Sequence, residues 1–241
     1  MSPRTSTLMQ RYGMVTESGP ADDRRVTVSV PKPGAYVQYG CGFTAPKDWI
    51  NFDASPTLRW EKIPVLGRLY TKNARRFPAN VRVGNIVKGL PVPEKSCQGV
   101  YASHILEHLT LDEFHQAIRN TRRILRPGGV FRLVVPDFEA AAAAYLTRLA
   151  IGGHTASAVF LNETGLGQTS RRRGLTGWLH EWLSTSRHLW MWDEHSLKQA
   201  LQDHGFRSVR RCAFGDCEDP MFALVEDASR FENAAAMEAR T

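Results

Sequence analysis

Residues 110–137 read TLDEFHQAIRNTRRILRPGGVFRLVVPD, and this stretch decides the fold class. It opens on a helix-capping signature, Thr110 with Glu113 three residues later, and apolar side chains follow at helical spacing. Pro127 and the two glycines after it predict the end of this helix. Residues 130–135 then form an apolar-rich run that is typical of a buried strand. The stretch therefore encodes a helix followed directly by an inner strand.

The same alternation extends on both sides of this stretch. Asp137 is placed to cap an alanine-rich helix that ends at Gly152. Upstream, residues 35–39 and 49–53 predict two short strands. Strands that alternate with helices predict a mainly parallel sheet covered on both faces, with ligands at the carboxyl ends of the strands.

The C-terminal part predicts one more helix and two strands. Asp193 is placed to cap the helix, and Gly205 follows its last turn. Residues 209–214 and 221–225 look like an antiparallel pair of strands. The first 33 residues are polar and contain glycines and prolines, which predicts a flexible segment before a single domain over residues 34–241.

Composition excludes a disordered chain, a collagen-like repeat and a coiled coil. The chain has 241 residues, 42% of them hydrophobic and 23% charged, which is typical of a globular protein. No apolar run reaches the roughly 18 residues of a membrane span, and no secretory signal is evident, so we expect a cytoplasmic protein without membrane contact. No CxxC pair occurs among the four cysteines, which we expect to be reduced: Cys41, Cys97, Cys212 and Cys217.

The chain is basic, with a formal net charge of +7. Its basic residues cluster in residues 59–76 and at 171–173, and they suit solvated faces or an anionic ligand. No aromatic-interleaved pattern accompanies them, so nucleic-acid binding is the less favoured interpretation.

Two glycines after the first strand and an acid after the second form a first candidate site. Gly40 and Gly42 allow backbone amides to approach a ligand closely, and Asp53 can accept both hydroxyls of a ribose. A tight turn beside a surface carboxylate is the alternative, because the third glycine of the dinucleotide fingerprint is missing.

The sequence HILEH at residues 104–108 matches the H-x-x-E-H pattern of zinc peptidases. Those enzymes carry the motif on a long helix and need a further ligand downstream. Here a new helix cap falls at Thr110 and no downstream ligand stands out. We therefore expect no metal, and expect Glu107 and His108 to brace a turn.

Six segments in order resemble class I S-adenosylmethionine-dependent methyltransferases, in particular a bacterial type associated with small-molecule and polysaccharide assembly. They are VQYGCG at 37–42, WINFD at 49–53, VYASHILEHL at 100–109, LRPGGVFRLVVPD at 125–137, HLWMWD at 188–193 and GF at 205–206. The resemblance implies an α/β fold, namely a Rossmann-like, doubly wound, seven-stranded sheet with an antiparallel last strand.

The resemblance also implies an S-adenosyl-L-methionine site. Gly40, Cys41 and Gly42 would line the methionine half, Asp53 would bind the ribose, and Ser103 and His104 would lie beside the reacting centre. Asn85, followed by Ile86, stands where the family usually has the acid that contacts adenine; its amide oxygen can still accept a hydrogen bond. Gly99 also departs from the family, which commonly has Asp there.

Three residues are candidates for catalysis. His104 would lie where cofactor and acceptor meet, and it either accepts a proton from the acceptor or serves as a wall residue. Asp137 is a helix cap or a substrate contact. His188 belongs to an insertion at about 154–192 that we interpret as a lid over the substrate, with arginines 171–173 available for an anionic group; Trp190 and Trp192 are expected to pack in the core.

The sequence therefore predicts methyl transfer to an oxygen or nitrogen of a small-molecule or glycan acceptor. An RNA or protein methyltransferase is the second enzymatic hypothesis. A protein that binds the cofactor without turnover is the alternative outside enzymology, and a homodimer is left open.

Overall fold

The protein is described by a computed structural model that covers residues 34–63, 75–167 and 187–241; the predictions for 1–33 and for arginines 171–173 lie outside these residues. A seven-stranded sheet forms the centre, in the order β3-β2-β1-β4-β5-β7-β6. Its strands are β1 (Ala35–Tyr39), β2 (Ile50–Asp53), β3 (Val81–Val83), β4 (Cys97–Ser103), β5 (Leu125–Pro136), β6 (Ser208–Arg211) and β7 (Ala234–Arg240). The first five are mutually parallel, and β7 runs antiparallel to β5 and β6. The predicted fold class is confirmed.

The described helices are α1 (Pro56–Glu61), α2 (Leu111–Ile124), α3 (Phe138–Ala150), α4 (Ala156–Glu163) and α5 (Glu194–Asp203). Short 3-10 helices occupy Leu106–His108, Pro220–Leu224 and Ala228–Phe231. Turns alone connect β1 to β2, as the short spacing between Gly42 and Asp53 predicted. No described helix is long and apolar enough to cross a membrane.

Helix α2 begins as predicted and ends earlier than predicted. The Thr110 hydroxyl accepts from the Glu113 amide, and the Glu113 carboxylate accepts from the Thr110 amide, so the capping box is complete. The helix stops at Ile124, before Pro127, because Leu125 already pairs with Cys97 of β4. Pro127 and its glycines thus lie inside β5 and do not terminate the helix.

Alternate residues of the inner strands point into two separate apolar clusters, one on each face of the sheet. Val100 and Phe131 pack in the larger cluster against α2 and α5, whereas Tyr101 and Val134 pack in the smaller one. Each such side chain, fully buried, contributes about 1.5–3 kcal/mol. Burial of both faces explains why β5 is a nearly continuous apolar run.

The predicted C-terminal strand at 221–225 is wrong. Asp219 caps a 3-10 helix with Pro220 in its first turn, and the last strand is β7, which begins 13 residues after residue 221. The 3-10 helix places Phe222 over Gly99 of β4, where an added Cβ would lie 2.9 Å from the Phe222 ring. A side chain at Gly99 would thus clash with Tyr36 and Phe222, which explains why this chain lacks the Asp that the family commonly has there.

The site is positioned by the strand order. The chain leaves β1 toward β2 on one side, and β4 lies on the other side of β1. Loops after β1 and β4 therefore diverge and leave a crevice between them, which is where ligands bind in open α/β sheets.

Candidate active site

His104 lies where β4 ends, in a backbone conformation that few residues other than glycine adopt. Its φ is +52°, and its amide donates to the carbonyl of Val134 at 2.9 Å. A left-handed conformation of this kind costs about 1–3 kcal/mol and is found preferentially at functional sites. The His104 side chain lines a cavity at this end of the sheet.

Two contacts orient the His104 ring. Nε2 lies 2.9 Å from the carbonyl oxygen of Arg230, and Nδ1 lies 3.4 Å from Oε1 of Glu107. The interaction with the Glu107 carboxylate is the main cause of a raised pKa for His104, and burial partly opposes it. A carbonyl can only accept, so Nε2 carries the hydrogen in that contact.

Glu107 is the most buried charged group of the site, with 1% of its side chain exposed. Besides His104, its Oε1 faces Nε2 of His108 at 3.9 Å and Nε2 of His188 at 4.0 Å. Burial lowers the pKa of His188. Glu107 and His108 do brace the turn as expected, since the Glu107 carbonyl accepts from the amide of Leu189 at 2.7 Å.

The three candidate catalytic residues come together in one cavity of about 510 Å³, which we call the acceptor cavity. Its lining includes His104, Asp137, Ala141, Arg148, Glu163 and His188. The insertion supplies Glu163 and His188, and α3 supplies an alanine-lined wall. Arg148 and Glu163 were not among the residues selected from the sequence. They pair at 2.7 Å across α3 and α4, two helices that approach each other only in the folded chain.

Asp137 has structural partners for both of its carboxylate oxygens. Oδ1 accepts from the Glu139 amide at 2.9 Å and caps α3, while Oδ2 lies 3.3 Å from the Arg211 guanidinium. The helix-cap interpretation therefore describes its contacts, and its place on the cavity wall leaves a substrate contact as a prediction.

The turn after β1 has the geometry that a cofactor requires. Gly40 and Gly42 have φ values of +67° and +53°. An added Cβ at Gly40 would lie 2.7 Å from Ile105, whereas one at Gly42 would meet nothing within 4 Å. Asp53 accepts from the Gly42 amide at 3.0 Å and from the Ser55 amide at 2.8 Å. Since a carboxylate offers about four acceptor sites, two remain for ribose hydroxyls.

Ser103 and Cys41 lie close to this turn. With Gly40 they border a small cavity of about 10 Å³, and the buried Ser103 hydroxyl has no hydrogen-bond partner among the described residues. Burial raises the pKa of Cys41 to about 12, so its sulfur stays a thiol at neutral pH. An unpartnered hydroxyl beside a glycine turn is available to a polar ligand, and binding of the methionine half of the cofactor there stays a prediction.

Asn85 and Ile86 are oriented differently from the expectation. The Asn85 Oδ1 accepts from the amides of Val87 and Lys88 at 2.8 and 3.4 Å, so this oxygen caps a turn. Ile86 is 6% exposed and packs in the larger core cluster. The oxygen that we expected to receive the adenine amino group thus also accepts hydrogen bonds within the chain, and its contact with adenine stays a prediction.

Trp190 and Trp192, near the end of the insertion, differ in exposure. Trp192 is 4% exposed, and its ring centroid lies 4.2 Å from that of Phe114, which confirms core packing. Trp190 is 41% exposed, so the expectation that it belongs to the core is wrong. Residues 168–186 of the predicted lid lie outside the described chain.

Asp53→Ala is expected to weaken binding of S-adenosylmethionine and of its demethylated product by roughly 2–4 kcal/mol, because two charge-assisted hydrogen bonds to the ribose are lost. Loss of the Gly42 tether adds to this effect. Titration calorimetry measures it, with Asp48→Ala as control, since Asp48 is an exposed carboxylate in the same loop. Wild-type affinity in Asp53→Ala would contradict the assignment.

The chain matches one family model and is similar to several solved structures. A family model described as a methyltransferase domain matches residues 35–210. A SAM-dependent methyltransferase from Archaeoglobus fulgidus is similar in structure, with 14% identity, a TM-score of 0.46 and coverage of 87% of this chain and 86% of that chain. So is the 1,6-didemethyltoxoflavin-N1-methyltransferase of Burkholderia thailandensis, solved with S-adenosylhomocysteine, with 14% identity, a TM-score of 0.41 and coverage of 87% and 72%.

No curated protein sequence matches the chain. The family model, however, spans well over half of it and includes the glycine turn, Asp53 and His104. The chain belongs to the methyltransferase domain family and is a methyltransferase.

Proposed function

We propose that this enzyme methylates an oxygen or nitrogen atom of a small-molecule or glycan acceptor bound in the acceptor cavity. The observation that carries the proposal is the position of His104, which lines that cavity while its neighbour Ile105 packs on Gly40 of the glycine turn. One turn of chain thus borders both the acceptor cavity and the candidate cofactor site. A volume of about 510 Å³ suits a small ligand.

S-adenosylmethionine, when bound beside the glycine turn, would supply an electrophilic methyl group. The protein holds the acceptor against it, since positioning alone can supply much of the rate for an in-line substitution. His104 receives the proton that the acceptor loses on Nδ1, because Nε2 already donates to the Arg230 carbonyl, and Glu107 beside Nδ1 stabilises the resulting imidazolium. His188 and the segment at 154–192 close over the acceptor.

The lining of the cavity favours an acceptor with several polar groups. Asp137, Arg148, Glu163 and two histidines surround an alanine-rich wall, an arrangement suited to hydroxyl groups on a compact scaffold. This supports the small-molecule or glycan class and an enzyme of bacterial small-molecule or polysaccharide assembly. The four cysteines are free, as expected in a reducing cytoplasm, and that location is part of the proposal.

A basic cavity of about 480 Å³ bears on the RNA hypothesis. Its lining includes Lys95, Arg119, Arg122, Arg123 and Arg207. These residues lie near the amino ends of β4 and β5, at the edge of the sheet opposite His104. A polyanion bound there would not present a base to His104, so the described basic surface does not favour an RNA acceptor.

The test is a methyl-transfer assay with the full chain, labelled S-adenosylmethionine and separate pools of small molecules, oligosaccharides, proteins and RNA. We expect label in one of the first two pools and none with Asp53→Ala at the same cofactor concentration. Label confined to RNA or protein would contradict the proposal. Cofactor binding without transfer to any pool would contradict it as well.

A further inference from the structure

Glu107 presents a buried carboxylate to three imidazoles. Both of its oxygens are fully buried, and neither has a hydrogen-bond partner among the described residues. A buried carboxylate is costly unless a positive group accompanies it. The groups that face Glu107 Oε1 are the rings of His104, His108 and His188, at 3.4, 3.9 and 4.0 Å.

His108 turns a lone pair toward that carboxylate. Its Nδ1 lies 2.8 Å from the carbonyl oxygen of Arg187, which can only accept, so Nδ1 carries the hydrogen. In the neutral ring Nε2 is then unprotonated, and it faces Glu107 Oε1 at 3.9 Å. Two acceptors that face each other repel unless a proton or a metal cation lies between them, and only a metal cation could bind both of these atoms and His188 at once. A ring nitrogen tied to a backbone carbonyl is also the arrangement usual for histidines that bind metals.

The third group that faces this carboxylate, the imidazole of His188, lies on a distant segment of the chain. Its Nε2 lies 4.0 Å from Glu107 Oε1, and its ring centroid lies 5.0 Å from that of His108. The position is fixed by the backbone, since Leu189 and Trp190 both donate to the Glu107 carbonyl. Gly165 leaves room for the ring, because an added Cβ there would lie 3.2 Å from it.

We propose that Glu107, His108 and His188 form a binding site for one divalent transition-metal cation of the Zn²⁺ type. One ligand atom from each lies within 4.8 Å of the other two. Tetrahedral bonds of about 2.0–2.1 Å place ligand atoms roughly 3.3 Å apart, so shifts of less than about 1 Å would close the site. Two imidazoles and one carboxylate suit zinc, iron and similar ions, whereas magnesium and calcium prefer oxygen alone.

This proposal replaces the expectation that no metal binds. That expectation rested on the spacing of His104 and His108, which would need one long helix. In the structure the motif spans a short 3-10 helix that carries Glu107 and His108. The third ligand atom comes from His188, which lies 80 residues after His108 in the chain. The proposal does not depend on the identity of the acceptor.

The experiment measures metal binding directly. Tag-free full-length protein is stripped with a chelator and titrated with Zn²⁺ against a chromophoric competitor, and the bound metal is counted by mass spectrometry. We expect about one zinc per chain and a higher melting temperature with zinc than without. With Co²⁺ as probe, the spectrum should show nitrogen and oxygen coordination without a thiolate charge-transfer band, which excludes the cysteines.

Glu107→Gln and His188→Asn should each weaken zinc binding by at least about a hundredfold, since even residues that merely support a ligand are worth 10–100-fold. His195→Ala, which removes an exposed histidine on α5, should bind zinc as the wild type does. Circular dichroism verifies that each variant folds, and His108→Asn gives a third measurement if Glu107→Gln does not. Absence of stoichiometric zinc in the wild type, or unchanged affinity in folded Glu107→Gln and His188→Asn, would overturn the proposal.

Discussion

His104→Ala is expected to lower turnover at saturating acceptor by a factor of about 10²–10⁴, the usual contribution of a positioned proton acceptor. Cofactor affinity should stay close to that of the wild type, because the glycine turn and Asp53 do not depend on the imidazole. Steady-state kinetics on the acceptor found in the methyl-transfer assay measures the first quantity, and calorimetry with the demethylated cofactor measures the second.

The backbone at His104 calls for a second variant. Alanine is strained at a φ of +52°, whereas asparagine tolerates the left-handed region. His104→Asn therefore removes the base with less disturbance of the turn, and it should show a similar loss of turnover. His195→Ala is the control. Unchanged turnover in both His104 variants would show that another group receives the proton.

Arg132→Met is expected to lower the free energy of unfolding by about 3–5 kcal/mol, because it leaves buried carboxylates without their cation. Arg132 is 1% exposed, and its guanidinium contacts Glu226 at 2.6 Å and Glu238 at 2.8 Å. Those two side chains are only 1% and 4% exposed. Urea unfolding followed by circular dichroism at pH 7 measures the loss.

A matched variant and a change of pH test this prediction further. Arg210 contacts Glu238 at 3.0 Å from an exposed position, so Arg210→Met should cost at most about 1 kcal/mol. The deficit of Arg132→Met should also shrink on acidification, since a buried carboxylate without its cation has a raised pKa and becomes neutral as the pH falls. A deficit that is small at pH 7, or that does not change at pH 5, would contradict this account.

Local signals in the sequence determined most of the fold. β1 has the predicted bounds, the capping box at Thr110 is complete, and Asp137 and Asp193 cap their helices. The exception is β7, whose sequence AAAMEAR favours a helix by intrinsic propensity. Its strand conformation comes from pairing with β5 and β6 on both sides, which no window of sequence reveals.

Individual residues of the candidate site could be selected from the sequence, but the contacts between them could not be predicted. His104, Asp137 and His188 were each selected from sequence, and they line one cavity. The setting of Glu107 could not be foreseen, because His188 reaches it through a backbone contact between distant segments. The hydrogen bonds of Asn85 Oδ1 could not be predicted from the sequence either, because a residue in a loop can turn its side-chain oxygen inward or outward.

The place of β7 has a consequence for how the protein is made. Residues 234–240 form an inner strand, yet they leave the ribosome after both of the strands with which they pair. Until they do, β5 presents an open edge of main-chain donors and acceptors, and β6 has no neighbour in the sheet. Such an edge recruits other chains. A truncation that removes only the final strand should therefore produce an aggregating nascent chain, although every residue of the glycine turn and of the acceptor cavity is still present.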